Sequence, residues 1–312
     1  MPPMDALYVV LSTARLQHGV VTAEQCRAAG VTGDLIRSLC RAREWTRLNR
    51  GVYLVDADLL DGVPRLSRIW AAALSIGPSA VAVLATAAEL HGIAGLRRND
   101  NVHLSLPGSQ ARNRRPTEPA VRLHQFVLKP NDTTTVEGLR VTTPARTIAD
   151  LLLRVRRYTA VSLLDSALHR RVLLPEELGL VRAMLEGRRG APQARPWLGE
   201  ADARAESPLE TRVRLRAADG GVPPDELQYR VRDQDGNVVA IADMAWTWAR
   251  VVGEADGAEA HDNPVAVFRD RKRQNDIVRA GFTPLRFTWE DTLKVDYIPS
   301  VVRAAIARSR VA

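Results

Sequence analysis

The segment IADMAWTWARVVGEADGAEAH, residues 241–261, places Asp243 among Ile241, Ala245 and Trp246, and Glu254 just after Val251 and Val252. A carboxylate inside an apolar run is costly unless a cation or hydrogen bonds compensate it. Asp235-Gly236 reads as the turn of a hairpin, and Thr247–Arg250 as a second, four-residue loop. With that loop Trp246 lies opposite Val251, and the same register brings Asp243 opposite Glu254, with Cβ atoms about 4.5–5.5 Å apart. Like charges that close repel, and burial deepens the penalty. A divalent cation removes the conflict. Mg²⁺ (or Mn²⁺) takes oxygen ligands, commonly one or two carboxylates with waters and substrate phosphate. It would acidify a water and polarise a phosphoryl oxygen. Asp243 and Glu254 are therefore the candidate metal ligands. Glu210, on a helix expected to start at Ser207-Pro208, is a candidate third acid, and His261 a candidate for orienting water or phosphate. Arg269, Arg271 and Arg273, in FRDRKRQN, could hold backbone phosphates. Glu206, Glu259 and Asp262 read as solvated charges, and Arg286 as the end of a core strand with its head at the site mouth.

A second set of residues points to nucleic acid. Residues 5–17 have apolar positions at helical spacing up to Gly19. TAEQCRAAG opens with Thr22 and Gln25 in a capping-box pattern and closes at Gly30. VTGDLIRSLCRARE restarts at Thr32, keeping Leu35, Ile36, Leu39 and Cys40 on one face and Arg37, Ser38 and Arg41 on another. WTRLNRGVYLV then reads as a strand pair turning at Asn49, Arg50 and Gly51. This is the layout of a winged helix-turn-helix, in which a capped basic helix enters the major groove and the wing reaches a phosphate backbone. Arg37, Arg41 and Arg43 are the groove candidates, and Arg47 and Arg50 the wing candidates. A small helical cap that binds protein is the alternative.

Elements that must position these sites can also be marked. Residues 65–93 read as two helices split at Gly77-Pro78, and NVHLSLP and VRLHQFVL as strands by their alternation. GLRVTTPARTIADLLLRV reads as a strand running into a helix capped at Thr142 or Thr143, and VSLLDSALHRRVL as another helix. His103 and His124 fall in strands, with structural or surface roles expected. Residues 187–205 are rich in Gly, Pro, Ala and charge, a linker composition.

Charge and composition bound the function classes. The chain carries 44 Lys+Arg against 36 Asp+Glu, a net +8 over 312 residues. Residues 1–199 hold a surplus of ten positive charges and residues 200–312 a deficit of two, so a polyanion suits the front and a metal-dependent site the back. Only Lys129, Lys272 and Lys294 are lysines, so a bias toward arginine could by itself explain the basic front. The most apolar run, residues 71–90, is broken at Gly77-Pro78 and ends in Glu89, so no membrane span is expected. The N-terminus has no basic n-region, so no signal peptide is expected. Two cysteines without a metal-ligand pattern suit reduced thiols in a cytoplasmic protein.

Residues 5–190 resemble the AbiEi-like type IV antitoxin family through LNRGVYLV, SAVAVLATAAELHGI and VTTPARTIADLL. That resemblance implies a DNA-binding autoregulator of an adjacent toxin gene, hence double-stranded DNA and a cognate toxin as partners. Residues 206–293 are similar to the very-short-patch-repair endonuclease within the PD-(D/E)XK superfold, through ESPLETRVR, LQYRV, IADMAW, VVGEADGAEAH, FRDRKRQN and AGFTPLRFTWEDTL. This implies metal-dependent phosphodiester hydrolysis. In the superfold a lysine stands two residues after the second acid. Here Asp256 occupies that place, and Lys272 is the candidate to supply the missing cation from the following helix.

The expected fold is thus a multidomain α+β and α/β chain: a winged helix-turn-helix over 1–57, a mixed α/β middle domain over 58–190, a linker over 191–205, and a restriction-endonuclease-like domain with a central mixed sheet over 206–312. Two functions remain open, a Mg²⁺-dependent DNA endonuclease and a non-catalytic antitoxin-type regulator whose back half has kept its acids as surface charge. The sequence leaves the oligomeric state open.

Overall fold

The computed structural model describes residues 3–55, 62–97, 99–107, 120–257 and 264–309, with the side chains of Pro3, Met4 and residues 264–270 left aside. The chain forms two compact units, residues 1–92 with 97–151, and residues 93–96 with 152–312.

The first unit begins with α1 (Pro3–Leu16), β1 (Val20–Thr22), α2 (Ala23–Ala28), α3 (Gly33–Arg41), β2 (Trp45–Asn49) and β3 (Val52–Val55). The capping box forms as the sequence implies: Thr22 Oγ1 accepts from the Gln25 amide at 3.1 Å, and Gln25 Oε1 accepts from the Thr22 amide at 2.8 Å. The Leu35 amide donates to Thr32 Oγ1, which starts α3. Apolar faces of the three helices meet Trp45 and Val55 in one cluster around Val10, Cys26 and Ile36. Cys26 is fully buried, and burial pushes its thiol up to about 11, so it acts here as a core side chain. Strand β1 was not expected. At three residues it carries no alternation, and it exists because Val20–Thr22 pair with β3 to make a three-stranded antiparallel sheet ordered β1-β3-β2.

The same unit continues with α4 (Arg65–Ile76), β4 (Val81–Ala82), α5 (Leu84–Leu90), β5 (Val102–Ser105), β6 (Val121–His124), β7 (Thr133–Val136), β8 (Leu139–Thr142) and α6 (Pro144–Leu152). Its strands form a mixed sheet ordered β6-β5-β4-β8-β7. Val20, Val52 and Leu54 of the small sheet share one apolar cluster with Ile69 and Trp70 of α4 and Leu104 and Val141 of the larger sheet. The expected boundary near residue 57 is therefore not a break in packing. The TPAR segment is held by charge: Arg146 bonds Asp150 at 2.9 Å and Asp132 at 2.7 Å, and Asp132 also accepts from the Lys129 amide.

The second unit contains α7 (Arg157–His169), α8 (Leu178–Leu185), α9 (Ala191–Ala194), α10 (Pro208–Asp219), β9 (Glu226–Arg232), β10 (Val238–Trp246), β11 (Val251–Ala255), α11 (Pro264–Arg279), β12 (Thr283–Phe287) and α12 (Tyr297–Ser309). Its four-stranded sheet is ordered β12-β11-β10-β9, with β11 and β12 parallel and the other pairs antiparallel. One face packs Met244, Trp246 and Phe287 against α10 and α12. The other packs Ala242, Ala245 and Val252 against Ile277 of α11 and Ala280 just after it. This is the mixed α/β layering expected for the back half.

Residues 191–205 correct the linker reading. Ala191, Ala194, Leu198 and Ala205 are buried. Asp165 of α7 accepts from Thr211 Oγ1 at 2.8 Å, Arg214 Nη2 at 2.9 Å and the Asp202 amide at 2.8 Å. Alanine, which is common in linkers, here lets helices approach closely, and a buried carboxylate ties α7, the segment before α10 and α10 itself together.

Candidate functional site

The candidate arginines of the first unit are distributed over α3, the residues after it and the β2–β3 hairpin. Arg37 and Arg41 are one turn apart on α3 and exposed, while Ile36 faces the core. Arg43 is exposed just beyond the helix with a left-handed backbone, φ 62°. Arg47 and Arg50 are exposed on the β2–β3 wing, where Arg47 Nε donates to the Asn49 carbonyl at 3.3 Å. Arg37 pairs with Asp34 on its own helix. That pair is exposed and thus weak, so it can be exchanged for a phosphate at little cost.

In the second unit the register is the expected one: Trp246 lies opposite Val251 and Met244 opposite Gly253. The ladder ends at that pair, so the Asp243–Glu254 pair expected from the register is not part of it. Asp243 sits at an irregularity shared by two strands. Its neighbour across β9 is Gln228, flanked by the pairs Ala242–Tyr229 and Met244–Leu227, and Gln228 has φ 53°. Across that point the faces exchange: Ala242 and Tyr229 belong to one layer, and Met244 and Leu227 to the other. The Asp243 carboxylate accepts from the Ala255 amide at 2.7 Å. A strand amide points along the sheet, so this carboxylate lies near the sheet plane where β10 and β11 part.

Glu210, buried on α10, is positioned by the Ser207 N-cap and accepts from the Glu206 amide at 2.9 Å and Gln228 Nε2 at 3.1 Å. Burial raises its pKa. Burial also pushes Asp243 up to about 6. The Ala255 amide and Arg273 oppose that rise, and the charges of Glu210 and Glu206 add to it. Glu210 therefore lies close enough for its charge to act on Asp243.

Glu254 is arranged differently. It is buried, with Arg273 Nη2 at 2.6 Å and Arg286 Nη2 at 3.4 Å. Arg286 Nη1 also lies 3.7 Å from Asp256, and Arg273 Nη2 donates to the Ile241 carbonyl. The cation that α11 brings to the second acid is thus Arg273, beside Arg286 from β12. Lys272 is exposed, because adjacent residues on α11 point about 100° apart and only Arg273 turns toward the sheet. Arg271 is exposed as well. His261 and the side chain of Arg269 lie outside the described residues, as do Glu259 and Asp262. Among the described residues no three His, Cys, Asp or Glu side chains are grouped to hold a metal ion. Gln228 and the ion pairs of Glu254 carry no motif, and nothing in the sequence marks the left-handed residue. Trp248 is exposed and Trp246 buried, so the two indoles flanking the hairpin have different roles.

The charge on Asp243 gives a pH dependence that can be measured. Its folded pKa of about 6 lies above the ordinary carboxylate value, so protonation favours the folded state. The stabilisation is full below about pH 4 and is lost as pH rises through about 6. Asp243→Asn, which can still accept from Ala255, should therefore be more stable than the wild type at pH 7.5, by about 2 kcal/mol, and no more stable at pH 4. Urea unfolding at both pH values checks this, and equal stability at pH 7.5 would refute it.

Comparison with known proteins gives three findings. Residues 80–200 match the family described as the AbiEi antitoxin C-terminal domain. The match begins after β3 and ends within residues 191–205. The chain is 33% identical over 259 residues to the uncharacterized proteins MT2308 and Rv2248, from two strains of Mycobacterium tuberculosis, covering 83% of this chain and 89% of theirs. The crystal structure of the RV2827C protein from Mycobacterium tuberculosis is similar with a TM-score of 0.44 at 18% identity, over 74% of this chain and 85% of that one. No helix among the described residues is long and apolar enough to cross a membrane.

Proposed function

Because the chain belongs to the family of the mycobacterial proteins MT2308 and Rv2248 and carries an AbiEi antitoxin C-terminal domain, we propose that it is a DNA-binding regulator of the antitoxin kind. The observation that carries this reading is the winged helix, whose α3 and wing expose Arg37, Arg41, Arg43, Arg47 and Arg50 on elements held by a shared core. Guanidinium groups on a groove-sized helix and on a wing contact phosphates and base edges of a duplex. The AbiEi match supports a toxin as the second partner. Anisotropy of labelled duplex DNA with the full chain, across a salt series, tests the DNA reading. A linear fall of log affinity with log salt is expected. Absence of binding at low salt would overturn it.

A second reading, metal-dependent phosphodiester hydrolysis, is favoured by one observation: among the described residues no arginine is in ion-pair contact with Asp243 or the buried Glu210, and Arg273 only lessens the rise at Asp243. Asp243 with Glu210 fits a Mg²⁺ better than Asp243 with Glu254, since Glu254 already has two guanidiniums. A metal there would supply an acidified water. The chain's own part would be to place Asp243 and Glu210 beside it and to hold a phosphate on Arg273 and Arg286. Plasmid nicking with Mg²⁺ or Mn²⁺ should then occur in the wild type and fall at least a hundredfold in Asp243→Ala and Glu210→Gln. Nicking that survives both changes would end this reading.

A further inference from the structure

We infer that the second unit carries a binding site for single-stranded nucleic acid, formed by Arg212 and Arg216 of α10, Tyr158 of α7 and Trp289 after β12. Arg212 and Arg216 are one helical turn apart, beside the core stripe of Leu209, Val213 and Ala217. The Arg212 guanidinium lies 5.3 Å from the Tyr158 ring centroid and 4.8 Å from that of Trp289, and the Arg216 guanidinium 5.0 Å from Tyr158. Thr292 fixes both side chains: Arg212 Nε donates to its hydroxyl at 3.2 Å and Arg216 Nε to its carbonyl at 2.8 Å.

Among the described residues neither arginine forms an ion pair, and their Nη groups make no hydrogen bond. The carboxylate of Asp219, three residues beyond Arg216, is engaged by Arg157 Nη1 at 2.7 Å and by the Tyr158 hydroxyl at 2.6 Å. Burial and the charge of Arg216 lower the pKa of Arg212. The rings offset part of that repulsion. An anion placed on the free Nη groups would remove the rest.

Trp289 indicates which anion. It is 47% exposed with Arg212 against its ring, and Tyr297, 43% exposed, lies on the same segment with Lys294 over it at 5.7 Å. Rigid arginines beside an open indole suit a phosphate followed by an unpaired base, which stacks on the ring. A duplex cannot offer such a face, because its bases are already stacked. An acidic peptide could engage the arginines and would leave the indole unused. This site is separate in sequence from the winged-helix arginines and does not depend on their role.

The test uses the full chain and short oligo(dT), read by tryptophan fluorescence and by anisotropy of a labelled strand. Saturable quenching is expected. Trp289→Ala should weaken binding about tenfold, and Arg212→Gln with Arg216→Gln should do so at least tenfold. The double variant should also lower the salt slope by roughly 1.4, two phosphates at about 0.7 each. Because Trp289 is exposed, its variant should fold even if the double variant does not. Affinity unchanged in Trp289→Ala would overturn the site. Competition by poly-glutamate as strong as by unlabelled oligo(dT), or loss of oligo(dT) binding in Arg37→Ala/Arg41→Ala with none in Trp289→Ala, would overturn it also.

Discussion

Replacing Arg37 and Arg41 together by alanine should weaken duplex binding by about a hundredfold at moderate salt and flatten its salt dependence. Each arginine–phosphate contact displaces condensed counterions, contributing about 0.9 to the slope of log affinity against log salt. Losing two should lower the slope by about 1.8. If one side chain reads a base edge instead, the slope should fall by only about half that, and discrimination at one position should relax by about 1–3 kcal/mol. Both positions are exposed and Ile36 carries the packing, so the thermal midpoint should stay within a few degrees. The wing gives an internal comparison: Arg47→Ala and Arg50→Ala should lower the slope with no change in sequence preference. Anisotropy at several salt concentrations measures these quantities, and an unchanged slope in the double variant would place the duplex elsewhere on the protein.

Asp165→Ala should produce the largest loss of stability of any single change considered. Asp165 is 1% exposed and accepts from Arg214, Thr211 and the Asp202 amide. Its pKa is nonetheless raised, because burial outweighs the pull of Arg214. Its ion pair is thus a poor source of net stability while intact, and costly to break by halves. Removing the carboxylate leaves a largely buried guanidinium without its ion-pair partner and the Asp202 amide without its acceptor. The expected cost is about 3–5 kcal/mol, a fall in the midpoint of roughly 6–20 °C for a unit of this size. Asp165→Asn with Arg214→Met, which removes both charges and keeps an acceptor, should recover most of that loss. Differential scanning calorimetry of the wild type and the two variants tests this, and no recovery in the pair would show that the carboxylate's role is not electrostatic.

Much of the site's framework is legible in local chemistry. The caps at Thr22 and Thr32 fix α2 and α3 because a side-chain oxygen three residues before an amide is a local event. The β10–β11 register follows from a four-residue loop, again local. What escaped depends on distant partners. Strand β1 exists only because β3 lies beside it. Residues 191–205 have a linker's composition, yet pack because Asp165, more than 35 positions earlier, supplies an acceptor to Asp202. Lys272 is the lysine nearest in sequence to the missing position of the motif, but helix phase brings Arg273 to Glu254. The cation–ring site on α10 has no motif, since its members come from α7, α10 and the segment after β12.

The left-handed backbone at Gln228 has a consequence for the acid across from it. A sheet covered by helices above and below normally offers a side chain two destinations, both oily. Where β9 and β10 swap inside for outside together, the residue at the crossing belongs to neither layer and points along the sheet instead. That seam is how a chain can keep a half-buried Asp243 in an apolar hairpin, with a strand amide for company in place of a helix's oily face.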